Sequence, residues 1–96
     1  MRVCFTAESM ARLRSIHAYI ARDSVSHADA MIDRITCRAI ALGTFPQSGR
    51  AVPEYAVETL REVSEPPYRI IYRIQADMLQ IVTVMHGRQL LPDDLL

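Results

Sequence analysis

The chain has 96 residues, half of them hydrophobic and 23% charged, and its eleven basic and eleven acidic side chains cancel. That length and composition describe one globular domain with one core, not a disordered chain. Zero net charge argues against strong nonspecific nucleic-acid binding, and no apolar run approaches the roughly 18–20 residues that cross a bilayer.

The charges are unevenly spread. Residues 1–50 carry seven arginines against four acids, and residues 51–96 carry four arginines against seven acids. Lysine is absent, so every basic group is a planar guanidinium, suited to carboxylate and phosphate recognition. The N-terminal Met1–Phe5 segment has no extended apolar stretch and no cleavage site. The expectation is a cytoplasmic protein. Cys4 and Cys37 have no nearby partner and read as reduced, small core residues.

Arg2–Phe5 is a short strand candidate. Thr6 then suits an N-cap, with Glu8 placed for the helix dipole. Met10, Leu13, Ile16, His17 and Ile20 recur at helical spacing, which predicts an amphipathic helix over about 7–22. His17 lies on that apolar stripe and reads as a packed core residue. Ser26 and Asp29 approximate a capping box for a second helix. Ala28, Met31, Ile32, Ile35, Ala39 and Leu42 form its stripe, and Gly43 with Pro46 ends it. So short a link makes the two helices an antiparallel hairpin.

Phe45–Ala56 reads as one long irregular stretch with Pro46, Gly49 and Pro53. Thr59–Glu65 is a strand that Pro66-Pro67 interrupts. Tyr68, Ile70, Tyr72 and Ile74 alternate with Arg69, Ile71 and Arg73, the period of a strand. After a turn at Gln75–Asp77, the apolar run Met78–His86 reads as a strand buried on both faces. The order β-α-α-β-β-β is an α+β class, a helical hairpin packed on an antiparallel sheet, with one sheet face left partly open and bearing arginines. The closing Leu90-Leu91 and Leu95-Leu96 pairs pack on the domain or form a contact.

The ordered set Pro46-Gln47-Ser48-Gly49-Arg50, Leu60-Arg61-Glu62, Tyr68-Arg69-Ile70-Ile71-Tyr72-Arg73 and a strand ending His86-Gly87-Arg88 resembles the ParE branch of the RelE/ParE toxin superfamily. The resemblance spans about residues 3–91. It implies a toxin of a type II toxin–antitoxin system, one domain neutralised by a cognate antitoxin whose C-terminal segment folds over it. ParE members inhibit DNA gyrase, whereas RelE members cut mRNA on the ribosome. Operator DNA is reached only through the antitoxin.

A ribonuclease needs a base, an acid and cations around the phosphorane. The candidates are His86, Arg61, Arg73 and Arg88, with Glu58 or Glu62 as base. No tyrosine follows Tyr72, Gly87 follows His86, and lysine is missing, all departures from the RelE pattern. A gyrase inhibitor needs an adhesive surface instead, for which Arg50, Arg61, Arg69, Arg73, His86 and Arg88 are the candidates. Acidic antitoxin residues suit Arg12, Arg14 and Arg73. Arg61 and Arg73 have a structural alternative, pairing with Glu58, Glu62 or Glu65 across strands. No cluster of histidines, cysteines or carboxylates has metal-ligand spacing, and no cofactor is expected.

Overall fold

The computed structural model describes residues 1–55 and 59–91. Glu58, Leu95 and Leu96, on which expectations were placed, lie outside the described residues. Strand β1 (Arg2–Phe5) leads into helix α1 (Ala7–Ala21) and helix α2 (Val25–Ala41). Strands β2 (Arg50–Ala51), β3 (Leu60–Glu65), β4 (Tyr68–Ile74) and β5 (Met78–His86) follow. They form one five-stranded sheet in the order β1-β5-β4-β3-β2. No described helix is long and apolar enough to cross a membrane.

The helix starts follow from capping chemistry. The Thr6 hydroxyl accepts from the Ser9 N–H and in turn donates to the Val82 carbonyl, so one side chain caps α1 and ties it to β5. The cap of α2 is Ser24, whose hydroxyl accepts from the His27 N–H; Ser26 lies one residue inside the helix. Two serines two apart offer similar capping signals, and capping at Ser24 makes the helix two residues longer than a cap at Ser26 would. Gly43 follows α2 with no positive φ. Its role is clearance: a Cβ there would lie 2.6 Å from the Met1 carbonyl, and the N-terminal ammonium donates to the Gly43 carbonyl at 2.9 Å.

The C-terminal strands are the expected antiparallel meander. β3 pairs with β4 from Leu60↔Arg73 to Glu65↔Tyr68, and β4 with β5 from Tyr68↔His86 to Ile74↔Leu79, with a bulge near Ile71/Tyr72. β1 joins in parallel, from Arg2↔Met78 to Phe5↔Ile81, so the sheet is mixed. No tight turn connects β1 to β5, and its direction is therefore free of hairpin geometry.

Two cores result. One face of the sheet meets the helices through Ile16, Met31, Ile35, Leu42, Tyr72 and Ile81, with Leu13 and Ile20 packed at its border. On the other face Val52, Leu60, Ile71, Val82, Met85 and Leu91 make a second, smaller cluster. The expectation of a partly open second face is corrected by that cluster: the segment after β2 and the residues after β5 fold back across it. Leu91 is buried there, while Leu90 beside it is exposed. Cys37 is exposed on α2 rather than in the core, and His17 is half-exposed, its Nε2 2.7 Å from Asp29 Oδ1 across the helical hairpin.

Candidate functional site

The arginine-bearing half of the sheet is organised around one carboxylate. Glu62 on β3 is opposite Arg50 on β2 and diagonal to Arg69 on β4, so alternation aims all three side chains at the second face. Arg50 Nε donates to Glu62 at 2.7 Å and Arg69 Nε donates to it at 3.0 Å. Arg69 also holds Glu54 through both terminal nitrogens, at 3.1 and 3.0 Å, and donates to the Gln89 carbonyl at 2.9 Å. Glu54 in turn accepts from the Leu91 N–H. One guanidinium thereby pins both segments that cross the second core.

The hydrogen bonds from Arg69 hold the Glu54 carboxyl well below its ordinary value, down to about 2, against an opposing effect of burial. The same contacts raise Arg69, with Glu54 the largest cause. Arg69 is only 11% exposed, so the expectation of an exposed binding cation is corrected at this position. Sequence could not show that Glu54 and Gln89 fold back onto it. Arg50, at 72% exposed, remains largely open to solvent while its charge is met by Glu62.

On the helix side of the sheet, Tyr72 is fully buried and its hydroxyl donates to the Pro46 carbonyl at 2.7 Å. It accepts from the Gly49 N–H at 3.0 Å. Burial raises the Tyr72 pKa, opposed by the Gly49 hydrogen bond and by nearby Arg61 and Arg38. Arg61 donates through Nη1 to the Gly49 carbonyl at 2.9 Å, and its Nε is buried without a partner among the described residues. Arg61 therefore fixes a loop, and two of the carboxylates expected to pair with it are held elsewhere: Glu62 by Arg50 and Arg69, and Glu65 3.9 Å from Arg34.

His86 ends β5, exposed, with its ring edge-on to Tyr68 at 6.0 Å between centroids and its Nδ1 accepting from the Arg88 N–H at 3.2 Å. Arg88 is exposed. Tyr68 and Tyr72 stand opposite His86 and Arg61, four residues apart on β4. His86 and Arg61 are therefore about 13 Å apart along the strands and about 10 Å across them. Arg73 is next to Tyr72 and so points to the opposite face from Arg61. The four nuclease candidates do not converge. Of the expected antitoxin contacts, Arg12 pairs with Glu8 at 3.0 Å one turn away, Arg14 is exposed on α1, and Arg73 is half-buried on β4.

A mixed five-stranded sheet carrying a two-helix hairpin, with a Pro-x-x-Gly-Arg loop locked beneath a sheet tyrosine, defines a small α+β domain. Residues 3–91 match the family described as the ParE toxin of the type II toxin–antitoxin system, parDE. The chain belongs to that family. It is 37% identical over 93 residues to a Sinorhizobium fredii protein named as a toxin, Y4kP, covering 95% of this chain and 93% of that one. Its fold is similar to a chain of the chromosomal ParDE system from P. aeruginosa, with a TM-score of 0.75 at 19% identity over 90% of this chain and 95% of the other.

Proposed function

We propose that this ParE-type toxin acts by binding and stalling DNA gyrase, and that its antitoxin relieves the block. The observation that carries the reading is the dispersal of His86, Arg61, Arg73 and Arg88 over two faces and separate ends of the sheet. General acid–base cleavage of RNA requires an acid, a base and cations within hydrogen-bond reach of one phosphate. A surface that jams a machine requires only exposed groups on a rigid frame. Arg50 and Arg88 supply such groups, and the paired strands and the Glu62 ion pairs supply the frame.

The test is supercoiling of relaxed plasmid by purified gyrase with the chain added, alone and with an excess of the protein encoded beside it. Inhibition that the second protein relieves is the expected result. No inhibition by a folded chain, together with cleavage of mRNA on translating ribosomes, would overturn the reading in favour of a RelE-like endoribonuclease.

A further inference from the structure

β2 is only two residues long, and it covers β3 only at Glu62 and Arg61. It stops short because the residue before it is committed elsewhere. The Gly49 N–H donates to the buried Tyr72 hydroxyl, and a Cβ at Gly49 would lie 2.5 Å from both that hydroxyl and the Glu62 carbonyl. Backbone groups alternate along a strand, and the Val52 N–H donates to the Leu60 carbonyl, so Leu60, Glu62 and Ser64 turn their N–H groups to the β2 side. Ser64 is exposed, and its N–H is an outward donor with no described strand beside it. A groove of about 300 Å³ follows this edge, lined by Arg38, Ser48, Arg50, Val63 and Ser64, with Glu62 at its side. The Ser48 and Ser64 hydroxyls have no partner among the described residues.

The groove holds more positive charge than the fold uses. A half-buried arginine ordinarily has a carboxylate, because a cation drawn out of water is costly to leave unpaired. Arg69 follows that rule, its five N–H groups going to Glu54, Glu62 and the Gln89 carbonyl. Arg38 and Arg61 are also half-buried, and neither has a carboxylate partner among the described residues. Arg61 donates to the Gly49 carbonyl but leaves its Nε buried and unpaired. Arg38 stands in the last turn of α2, where the helix dipole favours a cation without occupying its donors. Both oppose the upward pull of burial on the Tyr72 hydroxyl, so both guanidiniums lie near it, like charge facing like. Arg50 meets Glu62 through Nε and Nη2, leaving Nη1 without a partner among the described residues. Around the groove Arg38, Arg50, Arg61 and Arg69 stand against Glu54 and Glu62, which leaves two positive charges in excess.

We propose that this groove is a site for a phosphate monoester, in which Arg38 and Arg50 grip the anion and the Ser64 N–H and the Ser48 and Ser64 hydroxyls donate to its oxygens. Guanidinium forks match phosphate geometry, and hydrogen bonds to a charged acceptor are roughly twice as strong as neutral ones. A monoester carries close to two negative charges at pH 7 and three terminal oxygens. That suits a site with two positive charges in excess and several unused donors. A phosphodiester carries one charge and two such oxygens, and would leave part of the site unmatched. The same chemistry is offered by inorganic phosphate and by the terminal phosphate of a nucleotide.

The test titrates the full chain with inorganic phosphate and, separately, with adenosine diphosphate, at constant ionic strength, while amide shifts are followed. Saturable shifts at Ser64, Gly49 and Arg50 are expected, with a Kd below about 1 mM. Arg38→Gln is expected to raise that Kd at least about tenfold, and Arg22→Gln on α1 to leave it unchanged. Without ligand, Arg38→Gln is expected to melt no lower than the parent, since it removes one of two facing like charges. Ser64→Ala deletes only a hydroxyl and is the second variant, expected to raise the Kd about two- to fivefold. Inorganic phosphate binding at least as tightly as adenosine diphosphate assigns the site to the free anion, and tighter adenosine diphosphate assigns it to a nucleotide; either supports the proposal. No saturable shift in a folded chain, shifts that follow sodium chloride as closely as phosphate, or binding that survives Arg38→Gln overturns it. Preferred binding of an unphosphorylated single-stranded RNA at the same amides reassigns the groove to nucleic acid and overturns it too. The gyrase reading stands in each of those cases, because Arg38 and Ser64 take no part in it.

Discussion

Gly49 and Tyr72 hold one another in place: the tyrosine hydroxyl accepts from the glycine N–H at 3.0 Å, and the glycine leaves room for it. Tyr72→Phe leaves that N–H and the Pro46 carbonyl without their partner. A loss of about 1–3 kcal/mol by urea unfolding is expected. Gly49→Ala drives a methyl group into backbone and ring, and a loss of at least about 2 kcal/mol is expected. A Gly49→Ala variant as stable as the parent would show that the loop does not lie under Tyr72.

Glu62 and Arg50 bond to each other, yet their removal has unequal consequences. Glu62 is 5% exposed, and Glu62→Ala strands Arg69 beside a half-empty site. The expected cost is about 3–5 kcal/mol. Arg50→Ala removes an exposed partner and is expected to cost under about 1 kcal/mol. Chemical denaturation of the two variants side by side measures the difference.

The Glu54 carboxyl titrates at about 2 in the folded chain, below its ordinary value of 4.5. A depressed carboxylate contributes stability that is present above the ordinary value and is lost as pH falls toward about 2. Unfolding free energy is therefore expected to decline between pH about 4.5 and 2, and to decline less in Glu54→Gln. The loop lies near solvent, which reduces the effect to about 1–2 kcal/mol. Parallel acid arms for the two proteins would remove Arg69–Glu54 from the account.

His86→Ala is expected to leave gyrase inhibition unchanged within twofold, since the ring packs edge-on against Tyr68 and its Nδ1 accepts from the Arg88 backbone N–H of its own turn. Dose–response in the supercoiling assay measures this. A folded, antitoxin-bound variant without inhibitory activity would give the imidazole a direct role.

Ile16→Asp is expected to abolish the cooperative melt, because Ile16 is buried between α1 and the sheet and an unpaired carboxylate there has no compensating bond.

Helix positions and the meander were legible because each rests on a local period: Ala28, Met31, Ile35, Ala39 and Leu42 are all buried, and Tyr68, Ile70 and Tyr72 face the helices. The ordered motif set also pointed correctly to the toxin family. What local pattern could not show was pairing at a distance. Arg50-Ala51 is too short to display alternation, so from the sequence it reads as loop. Arg69 stands in an alternating strand and reads as a solvent-facing cation, because its partners Glu54, Glu62 and Gln89 are 7–20 residues away. Leu13 and Ile16 look equal on a helical wheel, yet Ile16 is buried and Leu13 only partly so.

The pairing of β1 with β5 has a temporal meaning. β1 finds its only described strand partner in Met78–Ile81, the first half of β5, more than seventy residues further along the chain. A nascent chain shorter than that can form its helical hairpin but has nothing to seat Arg2–Phe5 against, and ordering of such distant segments is slow. Completion of the sheet is thereby deferred until Met78–Ile81 has been made, so a nascent chain that stops short of it holds no finished copy of this domain.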